Sequence, residues 1–383
     1  MNVRHHSSVA APRDYAKLGA LVKQWGQELG FGAVGITGIE LDQDEARLMA
    51  WLSDHRHGEM AYMTQHGVKR TRPQALRPGT LSVISARLDY MRPATAPAEV
   101  VLDSDELGYV SRYALGRDYH KVVRRKLQQL ADRISTEVGA FGYRAFTDSA
   151  PVMEKPLARN AGLGWIGKHT NLLSRTAGSW FFLGELYTDL PLPHDAPATD
   201  HCGTCRACID ACPTGAITAP YQLDARLCIS YLTIELKHSI PVELRPLVGN
   251  RVFGCDDCQL VCPWNRFAAQ SDNDDFSPRH ALDAPRLIDL FRWDEAEFLD
   301  KTRGSAIRRA GYEGWLRNVA VALGNARTSP EVTSALKSRM DFPSAMVREH
   351  VVWALGRHGV GWHGREDHDR ATDGRQKDAG ESN

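Results

Sequence analysis

The sequence lacks the features of membrane, exported and strongly basic proteins. No apolar run approaches the ~20 residues of a membrane-spanning helix, and no apolar signal core follows the polar N-terminus. Lys and Arg together number 47, as do Asp and Glu, so there is no overall positive field, although a local basic patch stays open. These absences predict a cytoplasmic protein without a membrane partner.

Cysteine is absent from the first 201 residues and from the last 121, and all eight cysteines lie between Cys202 and Cys262. In a reducing compartment such clustering favours metal binding over disulfide formation. The first four match the run of bacterial two-cluster ferredoxins and read Cys202-x2-Cys205-x2-Cys208-x3-Cys212-Pro213. This spacing lets one loop wrap three thiolates around an iron–sulfur cube, while the fourth points to a second cube.

A second, incomplete cysteine run supplies the remaining ligands. It reads Cys255-x2-Cys258-x3-Cys262-Pro263; its missing first position holds Val252, and Cys228 can take that place. By the crossed pairing of such runs, the predicted sets are Cys202, Cys205, Cys208 and Cys262 for the first [4Fe-4S] cluster, and Cys212, Cys228, Cys255 and Cys258 for the second. Two four-cysteine zinc sites are the alternative. The full cysteine–proline pattern favours iron–sulfur clusters and one-electron transfer.

Helical and strand periodicities alternate in the first half of the chain. This alternation predicts an α/β domain over residues 1–193. We expect the catalytic site there, because a plain ferredoxin carries no such domain ahead of its clusters. Helices are predicted over about 14–30, 43–53 and 119–138, and strands over about 31–36, 81–86, 143–147 and 180–187.

The remainder of the chain completes a predicted α+β multidomain protein. Residues 194–273 are expected to form a ferredoxin-like domain with two [4Fe-4S] clusters, and residues 274–360 an α-helical domain. Similar segments ending at Gly324 and Gly356 indicate a HEAT-like repeat, with ordinary bundle helices as the alternative. Apolar residues are nearly absent from 361–383, which predicts a disordered tail.

One acidic residue stands directly after a predicted strand of the α/β domain. Strand ends are where such folds place chemistry, so Asp148 is a candidate general acid. Its pKa would be raised if its apolar sequence neighbours also surround it in space, namely Phe146, Ala150, Val152 and Met153. A helix N-cap or an Asx turn before Pro151 is an equally open interpretation.

A glycine motif follows, Gly162-x-Gly164-x-x-Gly167, with Glu185 farther along the chain. The pattern matches a dinucleotide fingerprint, but the preceding stretch, 155–161, is typical of a helix rather than a strand. We therefore expect a tight loop that approaches some other cofactor. Plain loop packing is the alternative.

Polar, aromatic and basic residues gather around the start of the long predicted helix. The cluster before it contains Ser111, Tyr113, Asp118, Tyr119 and His120. Asp118 is a credible N-cap for that helix. Candidate phosphate contacts, each equally explained as an ordinary solvated charge, are Arg124, Arg125, Lys126, Arg308 and Arg309.

Taken together, these residues resemble the bacterial tRNA epoxyqueuosine reductases, which are relatives of the cobalamin-dependent reductive dehalogenases. The resemblance covers about residues 13–358. It includes the cysteine array and the C-terminal repeat. Its other specific parts are Arg72-Pro73 through Pro78-Gly79, Gly116-Arg-Asp-Tyr-His120, Asp148-Ser-Ala-Pro151 and Gly162-Leu-Gly-Trp-Ile-Gly-Lys-His169.

The resemblance implies that epoxyqueuosine at the tRNA wobble position loses its epoxide oxygen and becomes queuosine. It implies a monomer that takes electrons from an unidentified low-potential donor and binds cobalamin near the first cluster. It makes Asp148 the proton donor and the five basic residues candidate tRNA contacts. It places the cobalamin pocket at Arg72, Ser111, Tyr113, Asp118, Tyr119, His120, Lys168 and His169.

Three other functions stay open on the sequence alone. A corrinoid iron–sulfur reductase of a small molecule, like the dehalogenases, is disfavoured because the N-terminus has no twin-arginine signal and the chain carries a helical repeat. A simple electron carrier is disfavoured by the long α/β domain. A zinc-bearing interaction protein would contain zinc without iron or acid-labile sulfide.

Overall fold

The computed structural model describes residues 14–93 and 95–361. The predicted disordered tail lies, from residue 362 onward, outside the described residues. Among the helices that the structure does describe, none combines the length and apolar character needed to cross a membrane.

The predicted helices and strands of the first half are confirmed, with small shifts at their ends. The helices are α1 (Tyr15–Glu28), α2 (Asp42–Ser53), α3 (Pro73–Leu76), α4 (Ala98–Leu102), α5 (Tyr119–Val138), α6 (Glu154–Asn160), α7 (Ala207–Asp210), α8 (Arg245–Val248), α9 (Asp257–Leu260), α10 (Leu287–Arg292), α11 (Glu295–Lys301), α12 (Gly311–Asn325), α13 (Pro330–Lys337) and α14 (Ala345–Arg357). The strands are β1 (Ala33–Thr37), β2 (Ser82–Asp89), β3 (Tyr109–Val110), β4 (Tyr143–Phe146), β5 (Trp165–Ile166), β6 (Leu172–Leu173), β7 (Phe181–Thr188), β8 (Ile217–Ala219), β9 (Gln222–Leu223) and β10 (Arg251–Phe253).

A four-stranded sheet in the order β1-β2-β7-β4 forms the centre of the N-terminal region. All three pairings are antiparallel, so the helix–strand alternation of the sequence does not produce a parallel sheet. Successive side chains of a strand face opposite sides. Ile84 accordingly packs with Leu127 of α5, whereas Val83 packs with Leu157 of α6. Helices therefore cover both faces, and β4 lies at one edge.

Helix α5 has the predicted boundaries, and both ends have identifiable causes. The Asp118 carboxylate accepts the backbone N–H of His120, which confirms Asp118 as the N-cap. Gly139 ends the helix with φ +78°, a conformation that glycine adopts without strain. The apolar face packs on the sheet, and the first turn consequently stands beside the end of β4.

The cysteine-rich and C-terminal segments share a core with the N-terminal region. Strand β10 pairs in parallel with β3, and one apolar cluster joins Val110, Phe253 and Trp315. Arg317 of α12 is almost completely buried and donates to the backbone carbonyls of Leu232, Leu236 and His238. Helices α12 and α14, the similar segments of the sequence, lie against each other. The division at residues 193 and 273 and the HEAT-like repeat remain predictions.

Candidate active site and iron–sulfur ligands

The loop after β4 presents Asp148 to an open cleft. Its φ is +51°, a left-handed conformation that residues other than glycine rarely adopt. The Tyr119 hydroxyl donates to Asp148 Oδ2, and His120 Nε2 lies 3.5 Å from the same oxygen. Tyr119 is held by stacking on Phe182, with 4.2 Å between the ring centroids. The first turn of α5 therefore directs a phenol and an imidazole at the carboxyl group.

The expected elevation of the Asp148 pKa is wrong for this structure. Desolvation alone would raise the pKa, but the hydrogen bonds from His120 and Tyr119 lower it below its ordinary value. The side chain is 58% exposed to the cleft, so water also supports its charged form. The apolar sequence neighbours do not surround it; Phe146 and Val152 pack in the core on the α6 face of the sheet.

Two further carboxyl groups adjoin Asp148. The Asp148 N–H donates to Glu154 Oε1 at 2.5 Å, and the Glu154 carboxyl is hydrogen-bonded to Glu185 of the central strand β7. Desolvation, and then the charge of Asp148, raises the pKa of Glu154 to about 8. Burial raises the pKa of Glu185 well above its ordinary value. Both groups therefore favour the protonated form more than an ordinary glutamate does.

His120 bridges two carboxylates. Its Nδ1 lies 2.7 Å from Asp118 Oδ1, and its Nε2 faces Asp148. Burial alone would lower the pKa of His120, but the hydrogen bonds to Asp118 and Asp148 raise it to about 9. The imidazole is consequently a cation at neutral pH and keeps a proton beside Asp148.

This raised pKa of His120 predicts a pH-dependent part of the stability. The folded pKa, about 9, exceeds the unfolded value of 6.5. The stabilisation, about 3 kcal/mol, is therefore complete below the unfolded pKa and lost as pH rises through the folded one. We expect His120→Gln to lower Tm by several degrees at pH 6 and much less at pH 10, measured by anaerobic thermal melts. Exposed His66 provides the control variant His66→Gln; a His120 effect independent of pH would contradict the assignment.

Lys155 links the carboxyl cluster to the cysteines. Its Nζ donates to the carbonyl of Thr170 at 2.8 Å. Desolvation lowers the pKa of Lys155, while the charges of Asp148 and Glu154 oppose that change, followed by those of the Cys258 and Cys228 thiols. One ammonium group thus lies within electrostatic range of both the acids and the thiols.

Arg309 closes the opposite side of this region. Its guanidinium makes a two-pronged ion pair with Glu235, with N–O distances of 2.6 and 2.8 Å, and lies 5.5 Å from the ring centre of Tyr62. Its charge also contributes to lowering the pKa of Asp148. Arg309, predicted as a tRNA contact, therefore belongs to the surroundings of the acid cleft.

The thiols occur in the two predicted groups. Desolvation and the neighbouring thiols of Cys262, Cys202 and Cys205 raise the pKa of Cys208 to about 11. The thiols that raise the pKa of Cys258 include Cys228 and Cys212, and Cys228 also raises the pKa of Cys255. Each run thus places one cysteine, Cys212 or Cys262, with the other run. The groups are adjacent, because Cys208 acts on Cys258.

The position of the cofactor beside the first cysteine set remains a prediction, and the surroundings of Lys155 bear on it. Among the thiols, Cys258 and Cys228 are the ones that act on Lys155, and both belong to the second set. Cys205 of the first set is instead exposed at the surface. Cys258 and Cys228 of the second set are therefore within electrostatic range of the acid cleft, whereas the first set combines exposed Cys205 with buried Cys208 and Cys262.

The spacing of the thiols also bears on the zinc alternative. Within the described residues, no three His, Cys, Asp or Glu side chains are grouped closely enough to hold a single metal ion. A cube keeps its thiolates farther apart, because four iron atoms lie between them. The arrangement is compatible with cubes.

Comparison with known proteins places this geometry in a family. Residues 70–149 match the model described as "Epoxyqueuosine reductase QueG, DUF1730", and residues 201–265 match that described as "4Fe-4S double cluster binding domain". The epoxyqueuosine reductase of Pseudomonas aeruginosa is 62% identical over 91% of this chain and 97% of its own length. The chain belongs to the epoxyqueuosine reductase family. The Escherichia coli K12 enzyme is 54% identical over 91% of each chain.

Solved epoxyqueuosine reductases share the fold. One, determined with an epoxyqueuosine-modified stem loop of tRNA-Tyr, matches with a TM-score of 0.81 at 28% identity over 90% of each chain. Another, from Bacillus subtilis, has a catalytic aspartate loop swung out of its active site; it matches with a TM-score of 0.79 at 28% identity over 89% of this chain and 90% of its own. The double-cluster match identifies residues 201–265 as a two-[4Fe-4S] binding region.

Relative to Asp148, the predicted pocket residues divide into two sets. Tyr119 and His120 contact Asp148, and Tyr113 packs edge-on against Tyr119 with 6.0 Å between the ring centroids. The others are engaged elsewhere. Arg72 pairs with Glu45, Ser111 donates to Asp256, Asp118 caps α5, Lys168 donates to the carbonyls of Gly203 and Cys205, and His169 is buried.

The glycine motif is a packing element. A Cβ on Gly164 would lie 2.1 Å from the Leu173 carbonyl, and one on Gly162 2.8 Å from the Ala196 carbonyl. The preceding segment is helix α6, so the dinucleotide interpretation is wrong. The close contacts support the packing alternative at Gly162 and Gly164, while the approach of this loop to another cofactor remains a prediction. Glu185 contributes to the acid pair instead.

Sequence reasoning missed four contributors to the cleft: Tyr62, Arg70, Glu154 and Lys155. Arg70 donates to the carbonyl of Tyr62 and lies within electrostatic range of Asp148 and Glu154. Glu154 and Lys155 directly follow the Asp148 loop, and that proximity was the available signal. Tyr62 and Arg70 are remote from Asp148 in the sequence, so no sequence pattern indicated that they contribute to the cleft.

Proposed function

We propose that this chain reduces epoxyqueuosine to queuosine in tRNA, and that Asp148 and His120 deliver protons for the reaction. The overall change consumes two electrons and two protons, removes the epoxide oxygen as water and leaves an alkene. The observation that carries the proposal is a strained, solvent-accessible acid placed between proton donors and a cysteine set. A cleft of this kind can combine electron supply with proton delivery.

We assign Cys202, Cys205, Cys208 and Cys262 to the outer cluster and Cys212, Cys228, Cys255 and Cys258 to the inner one. The exposure of Cys205 and the proximity of Cys258 to Lys155 support this order. Electrons from the still unidentified donor would enter at the outer cluster, because its ligand Cys205 is exposed at the surface. The inner cluster then supplies the cleft.

Cobalamin fits an unsatisfied polar group near the cleft, the Nε of Arg70. Arg70 Nε is buried without a hydrogen-bond partner among the described residues, and it lies near Asp148. A macrocycle edged with amides and a phosphate needs such donors, together with flat aromatic walls such as Tyr113 and Tyr119. When bound, cobalamin supplies a strongly reducing, nucleophilic metal centre for epoxide opening. Lys155 and Arg70 are the residues we expect to orient it.

Asp148 must carry a proton at the moment of reaction. In the open cleft the pKa of Asp148 is lowered and that of His120 is raised, so the proton between these two side chains stays on His120. A substrate that fills the cleft removes water from a side chain that is otherwise 58% exposed. Desolvation raises a carboxyl pKa, so the proton moves toward Asp148 as the substrate binds. The general acid is thereby loaded only when an epoxide oxygen is present to receive the proton.

The tRNA contacts are expected on exposed basic side chains. Arg124 and Arg308 are exposed and form no ion pair within the described residues. By contrast, Arg125 pairs with Asp275, and Lys126 donates to the carbonyl of Leu29. Arg309 likewise pairs with Glu235. Each of these three side chains is therefore already engaged within the protein. We therefore favour Arg124 and Arg308 as phosphate contacts.

Substitution of these two arginines tests the tRNA surface. We expect Arg124→Ala and Arg308→Ala each to weaken stem-loop binding several-fold at low salt and to reduce the slope of log K against log salt by about 0.7–1. Turnover at saturating tRNA should stay unchanged. Fluorescence anisotropy across a salt series measures the slope. Arg125→Ala is the matched control, and equal slopes in all three variants would place the tRNA elsewhere.

Anaerobic turnover tests the function itself. The protein is reconstituted with iron, sulfide and cobalamin, and incubated with a low-potential reductant and an epoxyqueuosine-bearing stem loop. Nucleoside mass spectrometry should show the loss of one oxygen, dependent on cobalamin. No conversion by a protein with both clusters and cobalamin would contradict the proposal and favour a dehalogenase-like reductase of small molecules. The monomeric state and cytoplasmic location remain predictions.

A further inference from the structure

The Asp148 loop needs something that holds it. A left-handed non-glycine residue costs about 1–3 kcal/mol and persists only where its surroundings over-determine it. Within the part of the chain that the structure describes, the Asp148 backbone N–H donates to Glu154 Oε1, at 2.5 Å. Because Glu154 begins helix α6, whose Leu157 is buried in the core, the acceptor stands on a fixed element.

The Glu154 carboxyl group is in turn hydrogen-bonded to Glu185 of the sheet. Glu185 is fully buried in the central strand, and the Ser85 hydroxyl lies 3.4 Å from its Oε1. Its Oε2 finds no donor among the described residues, yet the neighbouring group is the Glu154 carboxyl. Two carboxyl oxygens attract each other only when a proton lies between them. The missing donor is therefore a shared proton.

The charged groups around the pair leave this proton in place. On the cleft side lie Asp148, His120 and Lys155, and Lys155 Nζ is directed to the Thr170 carbonyl. On the sheet side, Tyr187 is buried and uncharged. The cationic His120 favours the loss of this proton, but the carboxylate of Asp148 favours its retention and has the larger effect on Glu154.

Resting on the function proposed above, we propose that Glu154 and Glu185 share a proton, and that this acid pair positions Asp148 for proton donation. Glu154 is a positioning residue, since it contacts the Asp148 backbone and not the substrate. One oxygen of its carboxyl group, Oε1, accepts the Asp148 N–H, while the carboxyl group also shares the proton with Glu185. Both bonds are made by neutral groups, so a glutamine at position 154 reproduces them.

Two substitutions of Glu154 separate positioning from charge. Glu154→Gln keeps an acceptor for Asp148 and a donor for Glu185, so we expect a kcat within about threefold of wild type. Glu154→Ala removes both, and kcat should fall about 100-fold, with KM for the stem loop unchanged. Exposed Glu137 gives the control variant Glu137→Gln. Iron content and cobalamin binding show whether each variant is loaded.

Hydrogen–deuterium exchange provides a readout that does not depend on turnover. The Asp148 amide should exchange at the wild-type rate in Glu154→Gln and at least tenfold faster in Glu154→Ala. If Glu154→Ala does not fold, Glu185→Gln and Glu185→Leu provide the same comparison. We expect the Asp148 amide to stay protected from exchange in Glu185→Gln and to lose its protection in Glu185→Leu. A wild-type enzyme that turns over no epoxyqueuosine would contradict the function and leave this exchange test intact.

Two results would overturn the acid pair. Wild-type kcat and protection in Glu154→Ala would show that Asp148 is positioned by other contacts. Equal losses in Glu154→Gln and Glu154→Ala would show that Glu154 acts as a carboxylate and shares no proton with Glu185.

Discussion

Asp148→Asn should reduce kcat by about 10²–10⁴-fold while leaving stem-loop affinity close to that of wild type. Asparagine fits the same loop, because it tolerates the left-handed conformation that Asp148 adopts at φ +51°. It can still accept from Tyr119, but it has no proton to give. The substitution therefore removes proton donation and preserves the geometry. Single-turnover kinetics with the reconstituted protein measure the chemical step directly.

The control for this substitution is Asp105→Asn, which changes an exposed aspartate to the same residue. Its kcat should match that of wild type. If Asp148→Asn retains activity within about threefold, Asp148 is not the acid. His120, which lies 3.5 Å from it and holds a proton up to about pH 9, then becomes the first candidate.

The fold elements were predictable where local patterns decide them. Helix α5 has the predicted ends because Asp118 caps it and Gly139 terminates it. The direction of strand pairing was not predictable in the same way. It depends on β2 pairing with β7, far along the chain, and no local pattern reports that contact. For the same reason, the core shared between Val110 and Trp315 was invisible before the structure.

The site was partly predictable because its chemistry follows from residue types at short spacing. The cysteine spacings indicated two crossed sets, and the thiols of the structure have those neighbours. Electrostatics was the weak part of the prediction. Apolar neighbours in sequence suggested a protonated Asp148, but the hydrogen bonds from Tyr119 and His120 lower its pKa. The sheet turns Phe146 away from the carboxyl group, and only the three-dimensional arrangement shows it.

The second large effect concerns the crossed cysteine sets. Any single Cys→Ala change among the eight should abolish turnover, because removing one ligand breaks the electron path between donor and cleft. Single variants cannot show which thiols share a cluster, but pairs can. Cys205→Ala with Cys262→Ala removes two ligands of one cluster and should leave about four iron atoms per chain. Cys205→Ala with Cys212→Ala damages both clusters and should leave almost none.

Iron and acid-labile sulfide analysis after anaerobic reconstitution measures the difference, with the unmodified chain at about eight iron atoms as reference. The two double variants carry the same number of substitutions and share Cys205→Ala, so general loss of stability affects both. An uncrossed arrangement gives the opposite result. Cys205→Ala with Cys212→Ala would then keep about four iron atoms, because both residues would belong to one cluster. The adjacency of Cys212 to Cys258, and of Cys262 to Cys208, is the physical reason to expect the crossed result.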